Sequence, residues 1–164
     1  MNWFFWDNIN TDLITPGRYN ITTDPAELAK IVFIEHNPEF CKNAKPEDFI
    51  IAGNNFGCGS SRETAATALK ARGIAAIVAK SYARIFYRNC LNQGLLAIIA
   101  DTSGIEPEDV LELQLEEGII VNKTKKKNLK VSVPEVMITL NKAGGIISYL
   151  QKNGVESIER LFSE

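Results

Sequence analysis

The run Gly53-Asn54-Asn55-Phe56-Gly57-Cys58-Gly59-Ser60-Ser61-Arg62-Glu63 concentrates more potential chemistry than any other part of the chain. Its glycines permit crowded or left-handed backbone, so main-chain N–H groups can turn toward a ligand. Ser60 and Glu63 have the S-x-x-E spacing of a capping box, which predicts a helix opening here with its positive end beside the loop. Arg62 adds a planar fork suited to a carboxylate. The combination points to recognition of an anion; a well-capped helix after a tight turn would use the same residues. Cys58 likewise reads as a nucleophile or as a small packed residue. Neither familiar phosphate loop fits, because no Gly-Lys-Ser/Thr ending is present and Arg62 stands where a third glycine would follow Gly57-x-Gly59.

Two further segments are dense in polar groups. Asn8-Ile9-Asn10-Thr11-Asp12-Leu13-Ile14-Thr15-Pro16-Gly17-Arg18-Tyr19 packs amides, hydroxyls, Pro and Gly into what turn chemistry predicts is an irregular loop. Lys80-Ser81-Tyr82-Ala83-Arg84-Ile85-Phe86-Tyr87-Arg88-Asn89 sets Arg84 and Arg88 one helical turn apart, on a face that solvent alone would also explain.

Positioning these segments requires strands that end where they begin. Phe49 to Gly53, Ile74 to Ala79 and Leu95 to Ala100 are short apolar runs bounded by turn residues, and the opening Met1-Asn2-Trp3-Phe4-Phe5-Trp6-Asp7 reads as a first strand. Ser61 to Arg72 is rich in helix-forming Ala and Leu and is stopped by Gly73; Tyr82 to Asn92 is stopped by Gly94. The alternation predicts an α/β fold with right-handed β-α-β crossovers, whose strand C-terminal ends are where ligands bind. Val110 to Leu115 and Gly118 to Asn122 predict a hairpin, followed by Leu129 to Val133 across a Lys-rich turn. Gly144 to Leu150 predicts an amphipathic C-terminal helix over one sheet face.

Composition narrows the function classes. A length of 164 residues is that of one domain, expected to span 1–164. Eighteen Lys and Arg against twenty Asp and Glu give a net charge of −2, with no global field for nucleic acid or anionic lipid. Lys123, Lys125, Lys126 and Lys127 lack interleaved aromatics and read as a solvated turn. No apolar run has the length of a membrane span, and Met1 to Asp7 lacks the basic start of a secretory signal. Cys41, Cys58 and Cys90 are an odd set without C-x-x-C spacing, which argues against disulfides or a metal site in this chain and for a reducing compartment, the cytoplasm. His36, the only histidine, is expected at a helix end as a solvated group rather than as a catalyst.

Taken in order, Asn10-Thr11-Asp12-Leu13-Ile14, Gly57-Cys58-Gly59-Ser60-Ser61-Arg62-Glu63, Ala79-Lys80-Ser81-Tyr82-Ala83-Arg84-Ile85-Phe86 and Asn92-Gln93-Gly94-Leu95-Leu96 resemble the swivel domain of the aconitase superfamily, in its short two-subunit form. Ala143-Gly144-Gly145-Ile146 also suits that form, so the resemblance spans nearly the whole chain. It implies a β/β/α swivel-type domain and a hydro-lyase half-site. Ser60 would be the base, Arg62 the clamp on a substrate carboxylate and Asp12 a polar organiser among the catalytic residues, with Ser61 and Thr11 lining the substrate. The 4Fe-4S cluster would lie on a separate large subunit, and the substrate would be a small dicarboxylate.

The resemblance also implies that Tyr19-Asn20-Ile21-Thr22 tunes specificity, since similar chains read Y-L-R-T in homoaconitases and Y-L-V-Y in isopropylmalate enzymes. Tyr19 and Ile21 are thus candidate substrate-contacting residues. An apolar Ile21 suits an alkyl substituent better than a third carboxylate. Isopropylmalate is the expected substrate, with dimethylmalate or 2-methylmalate next and homoaconitate third. A regulatory domain that holds an anion at the same loop is the non-enzymatic alternative.

Overall fold

The computed structural model describes residues 1–162 and builds them on four parallel strands, β1 (Asn2–Phe4), β2 (Phe49–Ala52), β3 (Ala76–Ala79) and β4 (Ala97–Ile99), paired in chain order. The register sets Phe4 beside Ile51, Ile51 beside Val78 and Val78 beside Ile98. All four residues of β2 and of β3 are buried, as continuous apolar runs in a parallel sheet covered on both faces require. α1 (Thr11–Ile14), α2 (Pro25–Ala29) and α3 (Pro38–Asn43) connect β1 to β2, α4 (Glu63–Ala71) connects β2 to β3, and α5 (Arg84–Gln93) connects β3 to β4. Alanines 65, 66 and 68 are fully buried on α4, and their small size lets that helix approach its neighbours closely. α2 packs on α4 and α4 on α5, forming a helical layer.

An antiparallel sheet of β5 (Leu111–Gln114), β6 (Ile119–Asn122) and β7 (Lys127–Lys130) adds Ile120 to the same core, with Leu111, Leu113 and Leu129 packed against it. Here the expected hairpin becomes a three-stranded meander. Its third strand begins at Lys127 rather than Leu129, so Lys127, assigned to the turn, lies with Lys130 on an exposed edge strand, where charge discourages pairing with another chain. Lys125 is also not merely solvated: its ammonium lies 3.3 Å from both Glu106 and Asp109.

The C-terminal expectation needs correction. In place of one helix on a sheet face there are α6 (Glu135–Ala143), α7 (Ile146–Asn153) and α8 (Ser157–Leu161). α6 supplies the core residues Met137 and Leu140, whereas α7 buries none of its residues and packs on α5 and α6. His36 lies in a turn rather than at a helix end, exposed, with its ring 6.1 Å from those of Phe5 and Phe33.

Asp109 pins the two sheets together. Its carbonyl accepts the Asn2 amide from β1 at 2.6 Å, and its carboxylate accepts the Asn122 amide from β6 at 2.7 Å and the Glu106 N–H at 2.8 Å. Burial alone would raise its pKa, but these donors and Lys125 together hold it below the ordinary carboxylate value. A folded pKa below the unfolded one contributes stability that is fully present above about pH 4 and lost as pH falls through the lower, folded value. Asp109→Asn is therefore expected to be less stable than the native chain at pH 7 and to lose less stability between pH 5 and 2. Urea midpoints across that range measure it; equal acid slopes would remove Asp109 as a cause.

Candidate active site

The site is assembled from the loops that leave β1, β2 and β3. The β1–β2 pairing continues beyond the strands: Phe5 N–H donates to Ile51 O at 2.8 Å, Asn8 N–H to Asn54 O at 2.8 Å, Gly57 N–H to Ile9 O at 2.7 Å and Thr11 N–H to Cys58 O at 2.9 Å. On its other side the β2 loop is fastened to the β3 loop. Phe56 N–H donates to Ser81 O at 3.0 Å, Ala83 N–H donates to Phe56 O at 2.9 Å, and the Ser81 hydroxyl accepts Asn55 N–H at 2.8 Å. Tyr82 lies alongside Phe56 with its hydroxyl 2.7 Å from Ile77 O and 3.2 Å from Ile98 O, so it ties this connection to the sheet.

Side-chain packing fixes the height of the central loop. Phe56 and Phe86 are buried edge to face, their centroids 5.5 Å apart. Gly57 lies directly beneath Phe86: a Cβ there would fall 2.1 Å from the ring, and φ is +78°. Only glycine satisfies both conditions. The loop that carries Ser60 is thus bonded on both flanks and pressed from above, a rigid support of the kind a preorganised site needs.

The capping box does not form. α4 starts at Glu63 with Arg62 at its N-cap and no side-chain cap. Ser60 lies two residues ahead of that N-cap because its carbonyl accepts Arg62 N–H at 2.9 Å in a tight turn. The Ser60 hydroxyl instead lies 3.1 Å from the Thr11 hydroxyl, and the Glu63 carboxylate accepts the Gln93 amide at 2.8 Å. An exposed serine beside an uncapped helix start is chemically more useful than a cap, since neither its oxygen nor the helix's positive end is committed to the other.

Arg62 has two partners, both on the β1 side. Its Nη1 donates to the Asp12 carboxylate and, at 3.1 Å, to Thr15 O. Asp12 also accepts Gly17 N–H at 3.3 Å. Gly17 packs beside the pair: a Cβ there would stand 3.4 Å from Nη2 of Arg62 and 3.7 Å from the Asp12 carboxylate. Spacing could not have disclosed this pair, whose members are fifty residues apart in the chain.

Of the other candidates, Ser61 is exposed on the same turn, whereas Thr11 is buried behind Ser60. Tyr19 is partly exposed with the Arg18 guanidinium 5.2 Å from its ring centre, and Ile21 is 87% exposed. Between them Asn20 donates its amide to the Thr64 hydroxyl at 3.0 Å, an anchor that holds this loop to the first turn of α4 and that the sequence offered no sign of. Cys41, Cys58 and Cys90 are free and lie on α3, the β2–α4 loop and α5. Burial pushes the Cys90 thiol far up, which makes it inert. Among the described residues no group of three His, Cys, Asp or Glu could hold a metal ion, and no helix is long and apolar enough to cross a membrane.

This arrangement has close counterparts. The family described as the aconitase C-terminal domain matches residues 6–103. The 3-isopropylmalate dehydratase small subunit 2 of Archaeoglobus fulgidus is 51% identical over 154 residues, 93% of each chain. Two Methanocaldococcus jannaschii chains are similar at nearly the same level. One is an isopropylmalate/citramalate isomerase small subunit, 46% identical over 94% of each chain; the other is a methanogen homoaconitase small subunit, 47% identical over 90% of this chain and 88% of its own. A crystal structure of 3-isopropylmalate dehydratase from the latter organism superposes with a TM-score of 0.88 at 44% identity, covering 97% of this chain and 96% of that one. With its parallel sheet, its helical layer and its serine–arginine turn at the strand ends, the chain belongs to the aconitase C-terminal domain family, among the small subunits of the isopropylmalate dehydratases.

Proposed function

We propose that residues 1–164 act as one swivel-type unit, the small subunit of a cytoplasmic hydro-lyase that interconverts 2- and 3-isopropylmalate through isopropylmaleate, a step of leucine biosynthesis. The observation that carries this is the pairing at the strand ends: an exposed Ser60 hydroxyl, bonded among the described residues only to the Thr11 hydroxyl, two residues from a half-buried Arg62 guanidinium oriented by Asp12. Ser60 takes the proton from the carbon beside a carboxylate, and Arg62 stabilises the charge that develops on that carboxylate. The electron pair left on carbon forms the double bond as hydroxide leaves, and readdition of water at the neighbouring carbon completes the isomerisation. A serine oxygen is a weak base in water, so it must react as an alkoxide, favoured by the nearby cation and the uncapped start of α4.

Departure of hydroxide calls for a Lewis acid, which a 4Fe-4S cluster supplies when bound. The three scattered cysteines of this chain do not fit such a cluster, so a larger partner subunit would carry it and cover the exposed site. Identity across the family does not select the substrate, because relatives near 47% bear both isopropylmalate and homoaconitase names. Ile21 does offer a basis. Held beside α4 by the Asn20 anchor, it meets the alkyl substituent when the partner closes the site, and burying a carboxylate against it costs more than changing one methylene, about 1–3 kcal/mol. The citramalate name among the relatives favours 2-methylmalate as a second substrate.

The test is kcat/KM of the chain reconstituted anaerobically with its large subunit for 3-isopropylmalate, 2-methylmalate, 2,3-dimethylmalate and homoisocitrate. The alkylmalates should lead, homoisocitrate should be rejected most sharply, and Ile21→Arg should narrow that gap. Activity of this chain alone, or a preference for homoisocitrate, would overturn the proposal.

A further inference from the structure

Thr11 is 1% exposed. Its hydroxyl is 3.0 Å from Ser60 O and 3.1 Å from Ser60 Oγ, so one proton is offered two acceptors on the same residue. The Ser60 carbonyl does not depend on that proton, since it also accepts Arg62 N–H at 2.9 Å. The Thr11 backbone cannot drift, because its N–H is bonded to Cys58 O in the ladder that joins the two loops.

Resting on the assignment of Ser60 as base, we propose that Thr11 is a positioning residue that governs the proton on Ser60 Oγ by exchanging donor and acceptor roles. With Ser60 neutral, Thr11 O–H points to Ser60 O and the Thr11 oxygen accepts the Ser60 O–H. With Ser60 an alkoxide, rotation about the Thr11 Cβ–Oγ1 bond turns the same O–H onto the anionic oxygen, while Arg62 N–H keeps the carbonyl satisfied. When substrate C–H breaks, its proton forms O–H on Ser60, its electron pair stays with the substrate, and Thr11 swings back. Rehydration reverses each transfer, so no external acid or base is consumed. A buried hydroxyl needs only rotation to follow the charge, which is the low-reorganisation stabilisation that favours an alkoxide.

The experiment uses the two-subunit enzyme with Thr11→Val, which keeps the side chain's shape, and Thr11→Ser, which keeps the hydroxyl. Thr11→Val is expected to lower kcat about a hundredfold with little change in KM. It should also move the acid limb of the kcat/KM profile upward by about one pH unit, because the alkoxide has lost a donor. Thr11→Ser should restore most of both. Should Thr11→Val not assemble, Thr11→Ala gives the same reading without crowding from the methyl groups. An unmoved acid limb in an assembled Val or Ala variant, with Ser60→Ala inactive, would overturn the role of Thr11 and leave the base assignment standing. Full activity of Ser60→Ala would overturn the base assignment and the role of Thr11 with it.

Discussion

Ser60→Ala, reconstituted with the large subunit, is expected to turn over about ten-thousand-fold more slowly than the native enzyme, the upper range for loss of a general base. The effect should fall on kcat, with KM changed little, because the hydroxyl acts on the reacting C–H bond while Arg62 retains the carboxylate. Folding should hardly respond. Ser60 is exposed and does not cap α4, so its removal deletes no helix-terminal bond. Its one side-chain partner, Thr11, keeps the Ser60 carbonyl as acceptor, so the stability cost is that of a single hydrogen bond, about 1 kcal/mol. Stopped-flow or steady-state assays alongside a thermal melt separate these outcomes. Near-native turnover in a folded variant would show that another group removes the proton. Matched losses of activity and melting temperature would show that Ser60 is structural.

Why the serine was legible in the sequence while its surroundings were not is a matter of range. The glycine-rich run after an apolar strand declares a loop at a strand end through local chemistry alone, and β2, α4, β3 and β4 lie within the segments that local pattern marked, while α5 overruns its segment by one residue, to Gln93. The capping box failed because S-x-x-E spacing describes a local competition, whereas Thr11 and Gln93 compete for those side chains from distant parts of the chain. α6 went unmarked for a related reason. Its buried Met137 and Leu140 are few, and its place is set by tertiary contacts, among them the Met137 sulfur 3.4 Å from Ala97 N.

Gly94, read as a helix stop, and Gly145, read as part of the opening of the C-terminal helix, prove to be one joint. A Cβ on Gly94, which ends α5, would lie 2.6 Å from Leu140 O and 2.8 Å from Gly145 N, and Asn141 donates to Gly94 O at 2.8 Å. A Cβ on Gly145 would in turn lie 2.9 Å from the carbonyl oxygens of Asn92 and Gln93, so each glycine is required by backbone of the other segment, a reason no single-segment reading supplies. The joint also bears on the site, since it fixes the end of α5 from which Gln93 reaches Glu63.

Arg62→Lys is the other substitution with a large expected consequence, and it separates charge from geometry. A lysine keeps the positive charge beside the helix start, so a purely electrostatic role would leave most activity intact. The guanidinium does more than carry charge. Its Nη1 is engaged by Asp12 and Thr15 O, which fixes the plane of the fork. An ammonium cannot hold Asp12 and Thr15 O and also present two parallel donors to a substrate carboxylate. Losing one side of such a charged pair costs about 2–4 kcal/mol, or roughly 30- to 1,000-fold in kcat/KM. Both parameters should suffer, since the carboxylate is bound in the ground state and gains charge in the transition state. Asp12→Asn provides the companion measurement. It leaves Arg62 charged but loosens its plane, so it should fall between the native enzyme and Arg62→Lys in kcat/KM. If Arg62→Lys retained near-native kcat/KM, the fork would not be the carboxylate clamp. If Asp12→Asn were the more damaging of the two, Asp12 would have a part in the chemistry beyond orienting Arg62.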